Sequence, residues 1–156
     1  MPGEEQGRGS RAQEMKQIAI YGKGGIGKPT IEANLSAALA AAGLRVLQVG
    51  CDPKQDSTRL LLQGRRVTTA LDYLRHSMPH ARRLEETVRS GFAGGYCVEA
   101  GEPEPGIGRA GRGILSAFVL LEQVGIASCR YDPALYDVRG DAVRPDSYAP
   151  FGARTW

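Results

Sequence analysis

Apolar residues along this chain gather in short runs punctuated by glycine, with helical stripes between them. Ile18-Ala19-Ile20-Tyr21 is a run that stops at a glycine, which predicts a buried parallel strand from Gln17 to Tyr21. From Thr30 to Ala42, Ile31, Leu35, Ala38, Leu39 and Ala42 recur at helical spacing, and Gly43 stands where a C-terminal cap is favoured. Val46-Leu47-Gln48-Val49 reads as the next strand. It delivers Gly50-Cys51-Asp52-Pro53-Lys54-Gln55-Asp56 to the carboxyl edge of the sheet, where open α/β sheets bind ligands. Leu60-Leu61-Leu62 is a structural apolar patch, and Thr69 with Asp72 three residues on predicts a capped helix carrying Leu71 and Leu74. Leu84 and Val88 fit one more helical turn ending before Gly91. From Gly94 to Gly113 glycine and proline predict a long loop without regular structure, of the kind that is usually functional. Ile114, Ala117, Phe118 and Leu121 mark an amphipathic helix, and Ala134-Leu135-Tyr136 leads as a strand into Asp137-Val138-Arg139-Gly140-Asp141.

Strands alternating with helices predict an α/β fold: a mostly parallel sheet with helices on both faces, of the phosphate-loop NTPase type. Composition narrows this picture. A chain of 156 residues suffices for one domain with a real core. Residues 1–15 are polar and aperiodic and are expected to form a disordered extension, with Met15 a candidate natural start. The 20 basic and 17 acidic residues leave a net charge of only +3, too small and too scattered to suggest nucleic acid or a membrane surface as partner. No apolar run approaches membrane-spanning length and no signal-peptide core is visible, so a cytoplasmic location is expected. Cys51, Cys97 and Cys129 form no C-x-x-C pair and are expected to be thiols. His76 and His80 are four apart, but Pro79 interrupts the helix they would share, and a surface position is the simpler reading.

The chemistry concentrates in Gly22-Lys23-Gly24-Gly25-Ile26-Gly27-Lys28-Pro29-Thr30. It matches G-x-x-x-x-G-K-[ST], in which glycine-rich backbone N–H groups face phosphates, the lysine neutralises them and the hydroxyl holds magnesium. Gly22, Gly27 and Lys28 fit, whereas Pro29 occupies the hydroxyl position. A strand before and a helix after supply the context the motif requires. An aspartate ending a later apolar strand, Asp137, is the usual partner for magnesium and attacking water in such sites.

Several separated stretches between Lys16 and Val143 together resemble the nitrogenase iron protein family, which includes the L subunit of light-independent protochlorophyllide reductase. They are residues 18–28, Val49-Gly50-Cys51-Asp52-Pro53-Lys54, Asp56-Ser57-Thr58-Arg59-Leu60, Cys97-Val98-Glu99, Pro103-Glu104-Pro105-Gly106-Ile107-Gly108, Ala110-Gly111-Arg112-Gly113 and Tyr136-Asp137-Val138. The resemblance implies a homodimer that binds MgATP in each subunit, shares one 4Fe-4S cluster and passes electrons to a dinitrogenase-like acceptor as ATP is hydrolysed. It implies nucleotide contacts at Gly22, Lys23, Gly24, Gly25, Ile26, Gly27, Lys28, Thr30, Lys54, Asp56 and Asp137. Lys28 would meet the β- and γ-phosphates, and Lys23 would reach nucleotide across the dimer. Asp52 and Asp141 would orient or activate water, Asp56 and Asp137 would sense magnesium, and Arg112 would lie on the partner-docking face.

The chain departs from that family at the points its chemistry needs most. Pro29 removes a hydroxyl and a backbone N–H, and it biases Lys28 away from helical dihedrals. One lost hydrogen bond to a charged group is worth about 1.5 to 3 kcal/mol, roughly one to two decades in affinity. Thr30 comes one residue late. Arg109 and Arg144 stand at the family's two cluster-ligand positions, and a guanidinium cannot ligate iron. The resemblance stops after Val143, so residues 144–156 are read as a non-family tail. The fold is expected to be incomplete in its C-terminal half, with strand edges and apolar surface uncovered. These replacements predict an impaired reductase. Two other readings stay open: a non-catalytic fragment or regulatory paralogue, and a partitioning-type ATPase using the same two-lysine loop.

Overall fold

The computed structural model describes residues 16–52, 54–102, 110–126 and 129–139, with the backbone alone at 110–115 and 139. Among the described residues, five strands and three α-helices follow in the order β1 (Lys16–Gly22), α1 (Lys28–Ala41), β2 (Leu47–Gly50), α2 (Ala70–His76), β3 (Arg89–Ser90), β4 (Tyr96–Glu99), α3 (Ala110–Gln123) and β5 (Pro133–Arg139). Short 3-10 turns fill the stretch between α2 and β4. The strands form one sheet in the order β1-β5-β2-β4-β3, parallel throughout except for the short β3. Parallel strands require crossover connections, and the segments carrying α1 (β1 to β2), α2 (β2 to β4) and α3 (β4 to β5) supply them. As a result, β1, β2, β4 and β5 all end at the same carboxyl edge.

The two faces of the sheet differ in chemistry. Leu47, Val49, Val98, Ala134, Tyr136 and Val138 pack with α2 and α3, through Ala70, Leu71, Ala117, Phe118, Leu120 and Leu121, into the main core. The Phe118 and Tyr136 rings meet edge to face with centroids 5.8 Å apart. Of the predicted amphipathic stripe, Ala117, Phe118 and Leu121 face the core, and the side chain of Ile114 lies outside the described residues. The α2 helix is capped as its sequence predicts, the Thr69 hydroxyl accepting from the Asp72 backbone N–H at 3.1 Å.

The opposite face lies under α1. Here the strand register sets Gln48 level with Cys97 and Leu135, and Gly50 level with Glu99 and Asp137. Polar residues thus sit in the middle of a buried sheet face, and α1 meets them with its own polar stripe. Lys28, Glu32, Ala33, Ser36 and Ala40 are its buried residues. The apolar stripe expected to define this helix faces the other way, with Ile31 60% and Leu35 37% exposed. Small side chains explain the choice: Ala33 packs with Leu61, Leu62 and Cys97, and Ala40 with Val46 and Leu135.

Three other expectations need correction. The first strand is parallel, but it is the outermost strand and not a buried one, with Ile18 37% and Tyr21 41% exposed. The turn anticipated from Leu84 to Val88 is a 3-10 turn over Leu84–Glu86 that runs into β3. The glycine-rich stretch contains β4, whose Cys97, Val98 and Glu99 are buried, and its end is already α3 from Ala110. Four residues between glycines suffice for a fully buried parallel strand, because its hydrogen bonds come from neighbours on both sides.

Candidate functional site

The loop after β1 turns tightly on itself. Gly25 and Gly27 hold left-handed backbone angles, φ 84° and 91°, that glycine adopts without strain. A Cβ at Gly22 would strike the Ile26 side chain and lie 3.2 Å from Lys28 Cδ, so the loop curls directly over that glycine. Gly27 caps α1, and the Ile31 N–H reaches the Gly27 carbonyl at 3.1 Å. Lys28 opens the helix even though proline follows it, so the expected bias away from helical dihedrals is overcome and Pro29 is accommodated in the first turn. Lys28 is buried, and its ammonium donates to the Lys23 carbonyl at 3.3 Å, folding the lysine back over the loop.

Beside this loop stands a layer of buried acids. Asp137 lies within β5, which runs on to Arg139 past the aspartate expected to end it; it accepts from the Ser57 hydroxyl through Oδ2 at 2.6 Å, while its Oδ1 is buried without a hydrogen-bond partner. Burial raises its pKa, against the Ser57 hydrogen bond and Lys28, with Asp52 and Asp56 pushing further upward. Glu99 lies across Gly50, where a Cβ would collide with its carboxylate. Its Oε1 accepts from the Thr58 N–H at 2.9 Å and the Thr58 hydroxyl at 2.7 Å, and its Oε2 is unpartnered. Burial pushes Glu99 up to about 7, the Thr58 bonds opposing. Gln48 donates to the Ser57 carbonyl at 2.6 Å, which fastens the 56–58 segment to three strands at once. Glu32, on α1, is wholly buried with both carboxyl oxygens unpartnered. Burial, then Asp137 and Glu99, push it up to about 9 against the pull of Lys28.

The structure therefore gathers Lys28, Asp52, Asp56 and Asp137 at one corner of the sheet edge. Asp52 also braces its own loop by accepting from the Lys54 N–H at 2.9 Å. Lys23, Gly24, Gly25, Ile26 and Thr30 are exposed around this corner, as is Lys54. Arg109, Asp141 and Arg144 lie outside the described residues, as does the side chain of Arg112. Glu32, Gln48, Ser57, Thr58 and Glu99 are members of the site that carried no assigned role in the sequence. Glu99 ends a run aimed at the carboxyl edge, which was the available signal; Glu32 lies off the apolar register of its helix and gave none. His76 and His80 are exposed surface residues.

The sequence profile of the 4Fe-4S iron sulfur cluster binding proteins, NifH/frxC family, matches residues 16–152. The chain belongs to this family. It is 54% identical over 129 residues to the nitrogenase iron protein of Methanospirillum hungatei, covering 83% of this chain and 45% of that one. It is 51% identical over 133 residues to nitrogenase iron protein 2 of Paenibacillus durus, covering 85% and 45% respectively. The chain thus spans a little under half the length of the curated relatives it matches. Among solved structures it resembles the septum site-determining protein MinD of Pyrococcus horikoshii with Mg-ADP. That match has a TM-score of 0.58 at 26% identity and covers 88% of this chain and 54% of that one. Cobyrinic acid a,c-diamide synthase of Mycobacterium smegmatis shares the fold at a TM-score of 0.56 and 21% identity, over 82% of this chain and 52% of that one.

Two groups implied by the family meet different fates against these residues. A nucleotide with its magnesium fits: the loop offers open glycine backbone and a lysine, and Asp56 Oδ1 and Asp137 Oδ1 are buried acceptors lacking partners. Among the described residues no three His, Cys, Asp or Glu side chains gather closely enough to hold a metal alone. Among the described residues the cysteines do not fit a 4Fe-4S cluster. Cys51, one residue past β2, and Cys97, within β4, are buried, and burial pushes the Cys97 thiol up to about 12, away from the thiolate a cluster needs; Cys129 alone is half-exposed.

Proposed function

We propose that this chain is the nucleotide-binding part of a nitrogenase iron protein-like, ATP-dependent reductase, impaired in its electron-transfer arm. The observation that carries the reading is Lys28 at the head of α1, folded over a glycine loop beside the unpartnered Oδ1 of Asp137. In this reading the N–H groups of Gly24 to Gly27 and the Lys28 ammonium receive the β- and γ-phosphates. Asp56 and Asp137 hold magnesium directly or through water, and Asp52, with Asp141, orients the attacking water. Magnesium bound with the nucleotide would offset phosphate charge. Lys23 reaches the nucleotide of a second subunit in a homodimer, and Arg112 lies on the face that meets a dinitrogenase-like acceptor. With arginine at the ligand positions, electron transfer through a resident cluster forms no part of the mechanism.

Calorimetric titration with MgADP and MgATP tests the reading. Binding is expected, and Lys28→Ala should weaken it by about one to two decades, the worth of losing a charge-assisted hydrogen bond. No binding by the intact chain would overturn the assignment. Binding without turnover would favour a non-catalytic fragment or regulatory paralogue. The likeness to MinD, a protein solved with Mg-ADP, supports a second reading as a partitioning-type ATPase. ATP-dependent pelleting with DNA or liposomes would favour that reading over the reductase.

A further inference from the structure

Glu32 has no place in the roles above, yet it is the most anomalous residue near the site. It is wholly buried, neither carboxyl oxygen has a hydrogen-bond partner, and it lies close enough to Lys28 and Asp137 to interact with both electrostatically. A buried carboxyl without partners is costly, and such groups in folded proteins are ordinarily satisfied by protein, water or an ion. Its helical address is informative. Glu32 is three residues after Pro29 and four after Lys28, so the three share one face of α1, and a helical side chain leans towards the N-terminal turn. A side chain at that address can reach the turn where the loop pattern requires a magnesium-binding hydroxyl. That hydroxyl is missing: Pro29 has none, and Thr30 is exposed on the neighbouring face, its carbonyl bonded to the Asn34 amide.

Resting on the nucleotide reading above, we propose that Glu32 supplies the protein oxygen ligand to the nucleotide-bound divalent cation that Pro29 has removed. A carboxylate is a stronger ligand for a hard cation than a hydroxyl. Its extra length makes up for its position one turn deeper in the helix. The site would then keep a cation by a different residue from the one its motif names.

The test uses Mn2+ as the probe, with ADP binding measured calorimetrically in EDTA and in Mn2+, and bound Mn2+ counted by its paramagnetic resonance signal. The quantity read is the ratio of ADP affinities with and without Mn2+. Glu32→Gln should cut that ratio at least about tenfold, and adding Pro29→Ser to the Glu32→Gln chain should restore it. An unchanged ratio in Glu32→Gln overturns the proposal, as does a loss that Pro29→Ser fails to recover. If the parent chain binds ADP in EDTA and gains nothing from Mn2+, this inference falls while nucleotide binding stands. If it binds ADP under neither condition, both fall.

Discussion

A carboxyl group on the wrong side of a helix decides much of this protein's electrostatics. Glu32 is pushed up to about 9 and Glu99 to about 7 from an ordinary 4.5, burial being the largest cause for both. Each group holds a proton more tightly when folded than when unfolded, so its contribution to stability is full below about pH 4.5 and lost as pH rises. For Glu99 the loss is complete just above 7, and for Glu32 just above 9. Urea midpoints of the nucleotide-free chain should accordingly fall between pH 5 and 9. Glu32→Gln, neutral at every pH, should flatten the upper part of that slope. A midpoint that rises with pH over this range would show that the acids are solvated or paired. The local signal for such a role was weak, because one Glu among apolar helix residues reads as a solvent-facing side chain until the sheet beneath is known to carry Asp137 and Glu99.

At the scale of elements, the connection between α1 and the sheet runs through polar contacts and small side chains. Gly50 is the narrow point: Glu99 and Asp137 occupy the same row on either side of it, and the Glu99 carboxylate crosses over it. Gly50→Ala should destabilise the fold by about 1 to 3 kcal/mol, as overpacking does. Urea unfolding of the double variant checks the cause: Glu99→Ala in the Gly50→Ala background should relieve part of the penalty, and strict additivity would refute the collision. The strand ending at Gly50 was legible from its apolar run and following aspartate. The need for glycine at position 50 was not, since it arises from a side chain 49 positions away.

For the whole molecule, the described residues leave apolar side chains uncovered on both α1 and β1. Ile18 and Tyr21 on the edge strand and Ile31 and Leu35 on the helix are all exposed. Relatives roughly twice as long have further chain to place against such surfaces. The chain by itself should self-associate, and replacing Ile31 and Leu35 together by Lys should lower light scattering at a given concentration. The same pair of changes should leave the thermal midpoint nearly unaltered, because exposed positions contribute little to stability. Whole-molecule chemistry also bears on iron. Anaerobic reconstitution with iron and sulfide should leave no stoichiometric 4Fe-4S absorbance, and finding it would mean that thiols now interior to the sheet become ligands. Among the described residues no helix is long and apolar enough to cross a membrane.

The sequence by itself determined the local grammar of this protein. The glycine loop, the cap at Thr69, the amphipathic Ala117-to-Leu121 stripe and the strand carrying Asp137 depend on residues within a turn or two of one another, and local sterics and periodicity suffice to read them. The family, too, is written in such short motifs. Tertiary structure decided which face of α1 is buried, that β1 lies at the edge, that Tyr96 to Glu99 is a strand, and that Glu32, Glu99 and Asp137 share one interior. Those outcomes turn on what packs against each element from distant parts of the chain. Hydrophobic patterning favours burying Ile31 and Leu35, but close packing of Ala33 and Ala40 on the sheet, with acids gathered beside Lys28, turned the helix the other way.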